Sequence, residues 1–294
     1  MRKGYTLIEI IITIAITGIL SIGMFKAFEA ITLRSEKAKI LTTLSIDSQT
    51  ALDQISILLY NRVPMSTQGC TLNAGCVPLD QSINNTILTW YGTASESYLA
   101  GDYSGFVDIE ASMSTKPVLQ SPNTNLGNVL ATERNKWGNT FLLTDMGLVF
   151  SSPFDQGEQL TYTIANSGAD TIQITNPTAD MTISEKYSLV DSAYAVARGA
   201  DIDPTAPCIT ALGISANAMD NTLFLFYDYR PWKTPAESFC ADTANRAGKV
   251  SILSANVNAF RAQILNGTIR LSIDTNRMVR GGNPVRLSKQ KVVF

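Results

Sequence analysis

The feature that most constrains this chain is an apolar run that begins near its N-terminus and continues to Phe25. A basic stub, residues 1–3, precedes it, and the run holds a single acid, Glu9. About twenty residues of this character cross the hydrocarbon core of a bilayer as a helix. A carboxylate in such a span costs roughly 2.5–3.5 kcal/mol on insertion scales, so we do not expect one without a function. The sequence therefore predicts a membrane-spanning helix with a functional acid near its start.

Two simpler interpretations compete with this one. A secretory signal peptide also has a basic start and an apolar core. However, Glu9 stands where that core should begin, and Ser21-Ile22-Gly23 is a poor substitute for a small-residue cleavage site. A plain signal anchor is the other alternative, and it leaves Glu9 without a purpose.

The segment Gly4-Tyr-Thr-Leu-Ile-Glu9, followed by the long apolar run, resembles the N-terminal signature of type IV prepilins and pseudopilins. The resemblance implies cleavage after Gly4 and N-methylation of the new N-terminal residue, Tyr5. It also implies that Glu9, with Thr6 beside it, acts in filament assembly, where the acid neutralises the N-terminal ammonium of a neighbouring subunit. Such a pair in a low-dielectric core is attractive in one axial register only.

Two positions depart from the pattern of the family. Most relatives have phenylalanine where this chain has Tyr5, although an aromatic ring is retained. Many major pilins have a helix-kinking proline at the position of Lys26, so its absence favours a minor subunit. We also expect Thr6 and Thr13 to hydrogen-bond to carbonyls of their own helix.

Composition excludes several kinds of chemistry. The chain of 294 residues contains no histidine, which rules out Ser-His-Asp and Cys-His catalysis and histidine-ligated zinc or haem. We therefore expect no enzyme activity, catalytic residue, metal or cofactor, although hydrolysis by acids alone stays open. Asp201, Asp203 and Asp220 lack the ordered spacing of a calcium loop. The net charge of -2 argues against direct nucleic-acid binding.

The four cysteines are expected to form disulfides if the bulk of the chain lies in an oxidising compartment. Their spacing suggests a small loop closed by Cys70 and Cys76 and a larger one closed by Cys208 and Cys240. Three pairings exist in principle, and the sequence alone does not choose among them. A zinc site of four thiolates is the alternative, but neither pair has the usual two-residue spacing.

The helical pattern continues beyond the apolar run, because Ile40, Leu44, Ala51, Ile55 and Leu58 recur at helical spacing. We predict one helix from residue 5 to about residue 61, ended by Pro64. The predicted organisation is a leader at 1–4, a transmembrane helix at 5–28, its amphipathic continuation at 29–62, and a β-rich head at 63–294.

For the remainder we predict a loop at 65–85 and a series of short strands and hairpins. We assign no element at 112–136. The strands are predicted at Thr86–Tyr91, Gly105–Ile109, Leu160–Ile164, Thr171–Thr175, Tyr187–Ala197, Thr222–Tyr229, Val250–Leu253, Val257–Leu265, Thr268–Ile273, Val285–Leu287 and Val292–Phe294, with a hairpin at Thr140–Ser151. The Asn266-Gly267 turn is the strongest hairpin signal. The fold class is thus α+β, a long helix packed on antiparallel sheet, and the tail resembles larger minor pilins and J-type pseudopilins.

The resemblance implies a minor pilin or pseudopilin at or near the tip of a type IV pilus, competence pilus or type II secretion pseudopilus. The expected partners are other pilins through the helix, the prepilin peptidase, the inner-membrane assembly platform, and lipid before assembly. The expected location is the bacterial inner membrane, with a single pass and a periplasmic head. Basic residues flank the run on both sides, so the positive-inside rule is undecided. The alternative is a membrane-anchored or secreted β-rich binding protein, such as an adhesin.

Overall fold

The computed structural model describes residues 6–71, 75–80, 85–151, 161–166, 168–177, 181–203, 205–239, 248–265, 267–280 and 282–294. An N-terminal helix of 54 residues is followed by a head made of antiparallel strands and short helices. The predicted α+β class is confirmed.

Helix α1 runs from Leu7 to Tyr60 without interruption. Nothing breaks it, since the first proline of the chain is Pro64. Residues 6–39 are exposed apart from two half-buried side chains, whereas from Ile40 onward one face is buried. The buried side chains recur three or four residues apart and are Ile40, Leu44, Ser48, Ala51, Leu52, Ile55, Ser56 and Leu59. One helix therefore has an unpacked first part and a packed second part.

The head contains thirteen named strands in the part of the chain that the structure describes. They are β1 (Gln68–Thr71), β2 (Gly75–Pro78), β3 (Ile87–Thr93), β4 (Val118–Gln120), β5 (Gly147–Phe150), β6 (Tyr162–Asn166), β7 (Thr171–Ile174), β8 (Tyr187–Arg198), β9 (Leu223–Tyr229), β10 (Lys249–Ser254), β11 (Val257–Leu265), β12 (Thr268–Met278) and β13 (Pro284–Val293). The short helices are α2 (Ser95–Ala100), α3 (Ile109–Met113), α4 (Leu126–Trp137), α5 (Pro207–Thr210) and α6 (Ala216–Met219).

Strand β8 is the centre of a ten-stranded sheet in the order β2-β1-β3-β8-β5-β6-β7-β4, with β9 and β10 branching from β8. One edge of β8 pairs with β3. The other edge is divided, because residues 187–190 pair with β5 and residues 193–198 pair with β9. Nine consecutive residues of β8 are buried from Leu189 to Ala197, so this strand contributes to the core on both faces.

The last three strands form a separate sheet in the order β11-β12-β13. Leu265 pairs with Thr268, which leaves a two-residue turn where the sequence predicts the Asn266-Gly267 hairpin. Gly267 has φ of 77°, the conformation for which glycine is favoured in such turns. The two short runs predicted at the C-terminus are one continuous strand, β13, paired with β12 along ten positions.

The second part of α1 lies against both sheets. Its Leu52, Ile55 and Leu59 belong to a single apolar cluster with Trp90 from the large sheet and Leu271 from the small one. All five side chains are almost completely buried. Burying a large apolar side chain contributes about 1.5–3 kcal/mol, so this face of α1 is a major contribution to head stability.

Several predicted elements are wrong. The Thr140–Ser151 segment is not a hairpin: Leu143–Asp145 forms a 3₁₀ turn and only β5 is a strand. The turn forms because the Asp145 carboxylate accepts a hydrogen bond from the backbone N–H of Leu142 at 2.8 Å. Gly105–Ile109 is not a strand either; Phe106 and Asp108 make isolated bridges and α3 begins at Ile109.

Two other stretches contain more secondary structure than the sequence predicts. The expected loop at 65–85 contains the β1–β2 hairpin, and the polar stretch at 112–136 contains β4 and most of α4. Helix α4 carries a recognisable start signal, since the Asn125 side chain accepts hydrogen bonds from the N–H groups of Gly127 and Asn128. Its apolar pattern is interrupted because Glu133 occupies a fully buried position on the face that packs on the head.

Glu133 belongs to a buried pair of carboxyl groups. It accepts a hydrogen bond from Ser97 Oγ at 2.6 Å, and Asp191 on β8 accepts from Lys136 Nζ and Trp137 Nε1 at 2.5 and 3.0 Å. The second oxygens, Glu133 Oε2 and Asp191 Oδ1, are buried without a hydrogen-bond partner among the described residues. Burial, and then the neighbouring Asp191 charge, raises the pKa of Glu133 from 4.5 to about 7. Near neutral pH a proton on Glu133 therefore removes the repulsion between the two buried carboxylates.

The first prediction concerns the pH dependence of head stability. The unfolded chain releases the Glu133 proton near pH 4.5, whereas the folded chain keeps it until about pH 7. This group therefore makes the free energy of unfolding largest below pH 4.5 and lowers it as the pH rises to 7, by about 3 kcal/mol. Glu133→Gln removes the titration, so the wild-type minus variant difference in denaturant unfolding should fall over this range and then level off.

The matched control is Glu110→Gln, because Glu110 is an exposed acid in the first turn of α3. Because Glu110→Gln leaves Glu133 in place, this variant should keep the wild-type loss of stability between pH 4.5 and 7. Parallel stability curves for the wild type and Glu133→Gln between pH 4.5 and 7 would contradict the assignment.

The second prediction concerns the β1–β2 hairpin, which is closed by a disulfide between Cys70 and Cys76, two residues that pair directly in the ladder. The predicted small disulfide loop is thus confirmed. Cross-links over loops this short restrict the unfolded chain modestly, so Cys70→Ser/Cys76→Ser should lower the free energy of unfolding by about 2 kcal/mol. Denaturant unfolding under non-reducing conditions measures the change. An unchanged midpoint and slope would show that this bridge contributes nothing to stability.

Candidate functional site: the N-terminal helix

The first part of α1 is a single exposed apolar surface. Leu7 is 79% exposed and Phe25 is 75% exposed, and large apolar side chains lie all along the helix between them. Among the described residues, α1 is the one helix whose length and composition would let it cross a membrane. Monomeric soluble proteins rarely expose contiguous apolar patches of this extent. This part of the helix therefore requires lipid or partner helices around it.

The helix begins at a polar cap built from two predicted site residues. Thr6 has extended backbone angles, and its N–H and Oγ1 both donate to Glu9 Oε2 at 3.3 Å. Glu9 thus satisfies the N–H group that precedes its own helix, at the end where the helix dipole favours negative charge. The expectation that Thr6 bonds to a helix carbonyl is wrong, because its hydroxyl donates to the Glu9 carboxylate instead. The structure brings Thr6 and Glu9 together.

Gly4 and Tyr5 lie outside the described residues, so their predicted cleavage and methylation stay predictions. Lys26 is an exposed helical residue, and α1 continues through it.

Hydroxyl groups form a continuous line that starts at Glu9. Thr13 Oγ1 donates to the Glu9 carbonyl, Thr17 Oγ1 to the Thr13 carbonyl, and Ser21 Oγ to the Thr17 carbonyl, each at 2.7 Å. The expected back-bonding of Thr13 is confirmed. Because these hydroxyls are satisfied within the helix, they can enter a medium without water at low cost. Unlike the hydroxyls of this line, the Glu9 carboxylate carries a charge, which can pair with a cation from a partner.

The remaining predicted residues lie in the head. Cys70 and Cys76 form the hairpin disulfide, which is incompatible with a zinc site built from all four thiolates. Cys208 is also disulfide-bonded, whereas Cys240 lies outside the described residues. Asp201 pairs with Arg198, and Asp203 accepts hydrogen bonds from Thr205. Neither acid is thus left without a neighbour.

Residues 1–25 match the family described as the prokaryotic N-terminal methylation motif. No curated protein and no solved structure matches the chain. The match covers the predicted leader, the Glu9 position and the first turns of α1, and it does not extend into the head. The matched motif marks structural rather than enzymatic proteins. Together with the long exposed apolar helix that follows it, this motif fits a type IV pilin-like protein. It also supports a pilin- or pseudopilin-like substrate of prepilin peptidase.

Proposed function

We propose that this chain is a minor pilin or pseudopilin that is cut after Gly4, methylated on Tyr5, and incorporated at or near the tip of a filament. The filament is a type IV pilus, a competence pilus or a type II secretion pseudopilus. The single observation that carries the proposal is the exposed apolar helix of residues 6–39 with Glu9 in its first turn. Its work is assembly initiation or partner contact, with no chemistry of its own.

The exposed carboxylate of Glu9 supports its proposed work in assembly. Among the described residues of the single subunit, its carboxylate accepts only from two neutral donors, the N–H and hydroxyl of Thr6, each at 3.3 Å. An incoming N-terminal ammonium would be the better partner, because it adds a full positive charge and its bonds to a carboxylate are typically about 2.7–2.9 Å long. Exchange of the cap for this ion pair would fix the axial position of one helix against the next.

The geometry of the helix and the head supports a minor subunit in the inner membrane. The unbroken helix through Lys26 lacks the proline of many major pilins. The Cys70–Cys76 disulfide suits an oxidising compartment, so we place the head in the periplasm. Before assembly α1 is a single membrane pass, and afterwards its partners are the helices of other pilins, delivered by the assembly platform.

A second candidate is a binding protein whose N-terminus serves only for targeting. It is favoured by a cleft of about 460 Å³ at the C-terminal end of α1, where Tyr60, Tyr98 and Phe106 meet two cations, Arg62 and Lys186. A cleft of this size and composition suits a ligand or a partner side chain. N-terminal processing separates the two candidates.

The third prediction is that the intact protein loses residues 1–4 only in cells with an active prepilin peptidase, with or without a methyl group on Tyr5. Intact-mass spectrometry of the purified protein measures this. Gly4→Val should block the cut, because a branched side chain prevents close approach of an enzyme to the backbone. A full-length N-terminus in both strains, or a cut near residue 23, would favour the binding protein.

The fourth prediction is that Glu9→Gln is processed and membrane-inserted normally but enters filaments poorly. The amide oxygen still accepts from Thr6, so the helix cap persists, whereas the charge for the ammonium is lost. Recovery in the sheared filament fraction should fall roughly tenfold, as expected for one charge-assisted pair. Glu29→Gln is the control, since Glu29 is an exposed acid farther along the same helix. Equal recovery of both variants would remove Glu9 from assembly.

A further inference from the structure

The end of the head that lies next to the exposed part of α1 is formed by the turn between β12 and β13. Strand β13 follows α1 in the same direction: Val285 and Leu287 pack with Ile40 and Leu44, and Lys291 Nζ reaches Asp53 Oδ1 at 2.5 Å. The start of β13, and with it the turn, is therefore level with the point where α1 becomes exposed.

Basic side chains are concentrated at this level. Three exposed arginines surround the turn and three exposed cations lie on the adjoining turns of the helix; they are Arg277, Arg280, Arg286, Arg34, Lys37 and Lys39. The nearest acids along the helix are Glu29 and Glu36. The whole chain carries a net charge of -2, so this local excess of positive charge is not a general property of the protein.

Among the described residues, these six cations lack the ion pairs that two other basic residues of the small sheet form. In the described part of the chain none of the six forms a salt bridge, whereas farther along the sheet Lys291 pairs with Asp53 and Arg261 with Asp274. Met278 stands beside the turn and is 68% exposed. Unpaired cations around an exposed apolar side chain are the arrangement that adheres to an anionic lipid surface.

The distance along the helix suits this contact. Residue 28, where the predicted transmembrane segment ends, and Ile40, the first buried position, are twelve residues apart, or about 18 Å along the axis. The headgroup layer on each side of a bilayer is about 5–7 Å thick. The turn therefore lies about 11–13 Å beyond this layer, slightly more than one Debye length of 8–10 Å. Arginine side chains and an ordinary helix tilt close the remaining gap.

We propose that the β12–β13 turn and the adjoining segment of α1 form a binding surface for anionic lipid headgroups on the membrane that α1 spans. The inference rests on the membrane residence proposed above. It explains why basic residues follow the apolar run as well as precede it. The contact holds the head down on the membrane before assembly, and it is released when the subunit enters a filament.

The test uses the full chain inserted in phosphatidylcholine vesicles with and without about one third phosphatidylglycerol. A nitroxide attached at Met278→Cys reports on the turn, and one at Val292→Cys, on the far end of β13, is the matched control. Anionic lipid should make position 278 several-fold less accessible to a water-soluble nickel reagent, and about 0.5 M salt should reverse the effect because it screens the charges. Position 292 should not change.

In anionic vesicles, Arg277→Gln/Arg280→Gln should lower the ratio of heads that contact the membrane surface to heads that do not, roughly tenfold or more. Arg261→Gln/Arg270→Gln removes the same charge from the same sheet away from the turn and should leave the protection intact. Equal accessibility at position 278 in both lipids would overturn the proposal. Protection that follows the protein-to-lipid ratio regardless of lipid charge would also overturn it and would indicate a second copy as the partner. A chain that fails to float with either kind of vesicle would refute membrane residence itself.

Discussion

Burial of one face of α1 between the two sheets is the contact on which the rest of the head depends. Leu52, Ile55 and Leu59 contact residues of both sheets in one apolar cluster. The small sheet is tied to the helix a second time by Lys289 Nζ, which donates to the Ser45 carbonyl at 2.9 Å, and by the Lys291–Asp53 pair. This face of the helix therefore joins the two sheets in one core.

The same helix has two different environments along its length. Beyond Ile40 it is a core element of a folded head, and before Ile40 its described side chains are exposed apart from two that are half-buried. In the first part, the Thr6–Glu9 cap and the hydroxyls bonded to carbonyls one turn earlier satisfy polar groups within the helix itself. A low-dielectric surrounding would strengthen all of these hydrogen bonds. The exposed part is thus already suited to a change of partner from lipid to other helices.

Periodicity predicted the elements whose neighbours in sequence are also their neighbours in space. The helix, the hairpin predicted at Val257–Leu265 and Thr268–Ile273, and the small Cys70–Cys76 loop all depend on local contacts. Prediction failed where a distant residue determines the local structure. The Asp145 carboxylate that caps the 3₁₀ turn is also held by Lys233 Nζ at 2.6 Å, and Glu133 is tolerated on the buried face of α4 because Ser97 Oγ donates to it and a proton neutralises it beside Asp191. Neither partner is adjacent in sequence.

The sequence by itself determined the kind of protein: an apolar helix of membrane length, an acid at its start and a methylation motif are written in consecutive residues. The α+β class followed from the change of period after Pro64. Only the tertiary structure decided the division of the strands into two sheets around α1 and the burial of the Glu133–Asp191 pair. It alone brought Arg277, Arg280 and Arg286 level with the basic turns of the helix. These features depend on contacts between residues far apart in the chain, and a pattern of neighbouring residues carries no information about which distant side chains will meet.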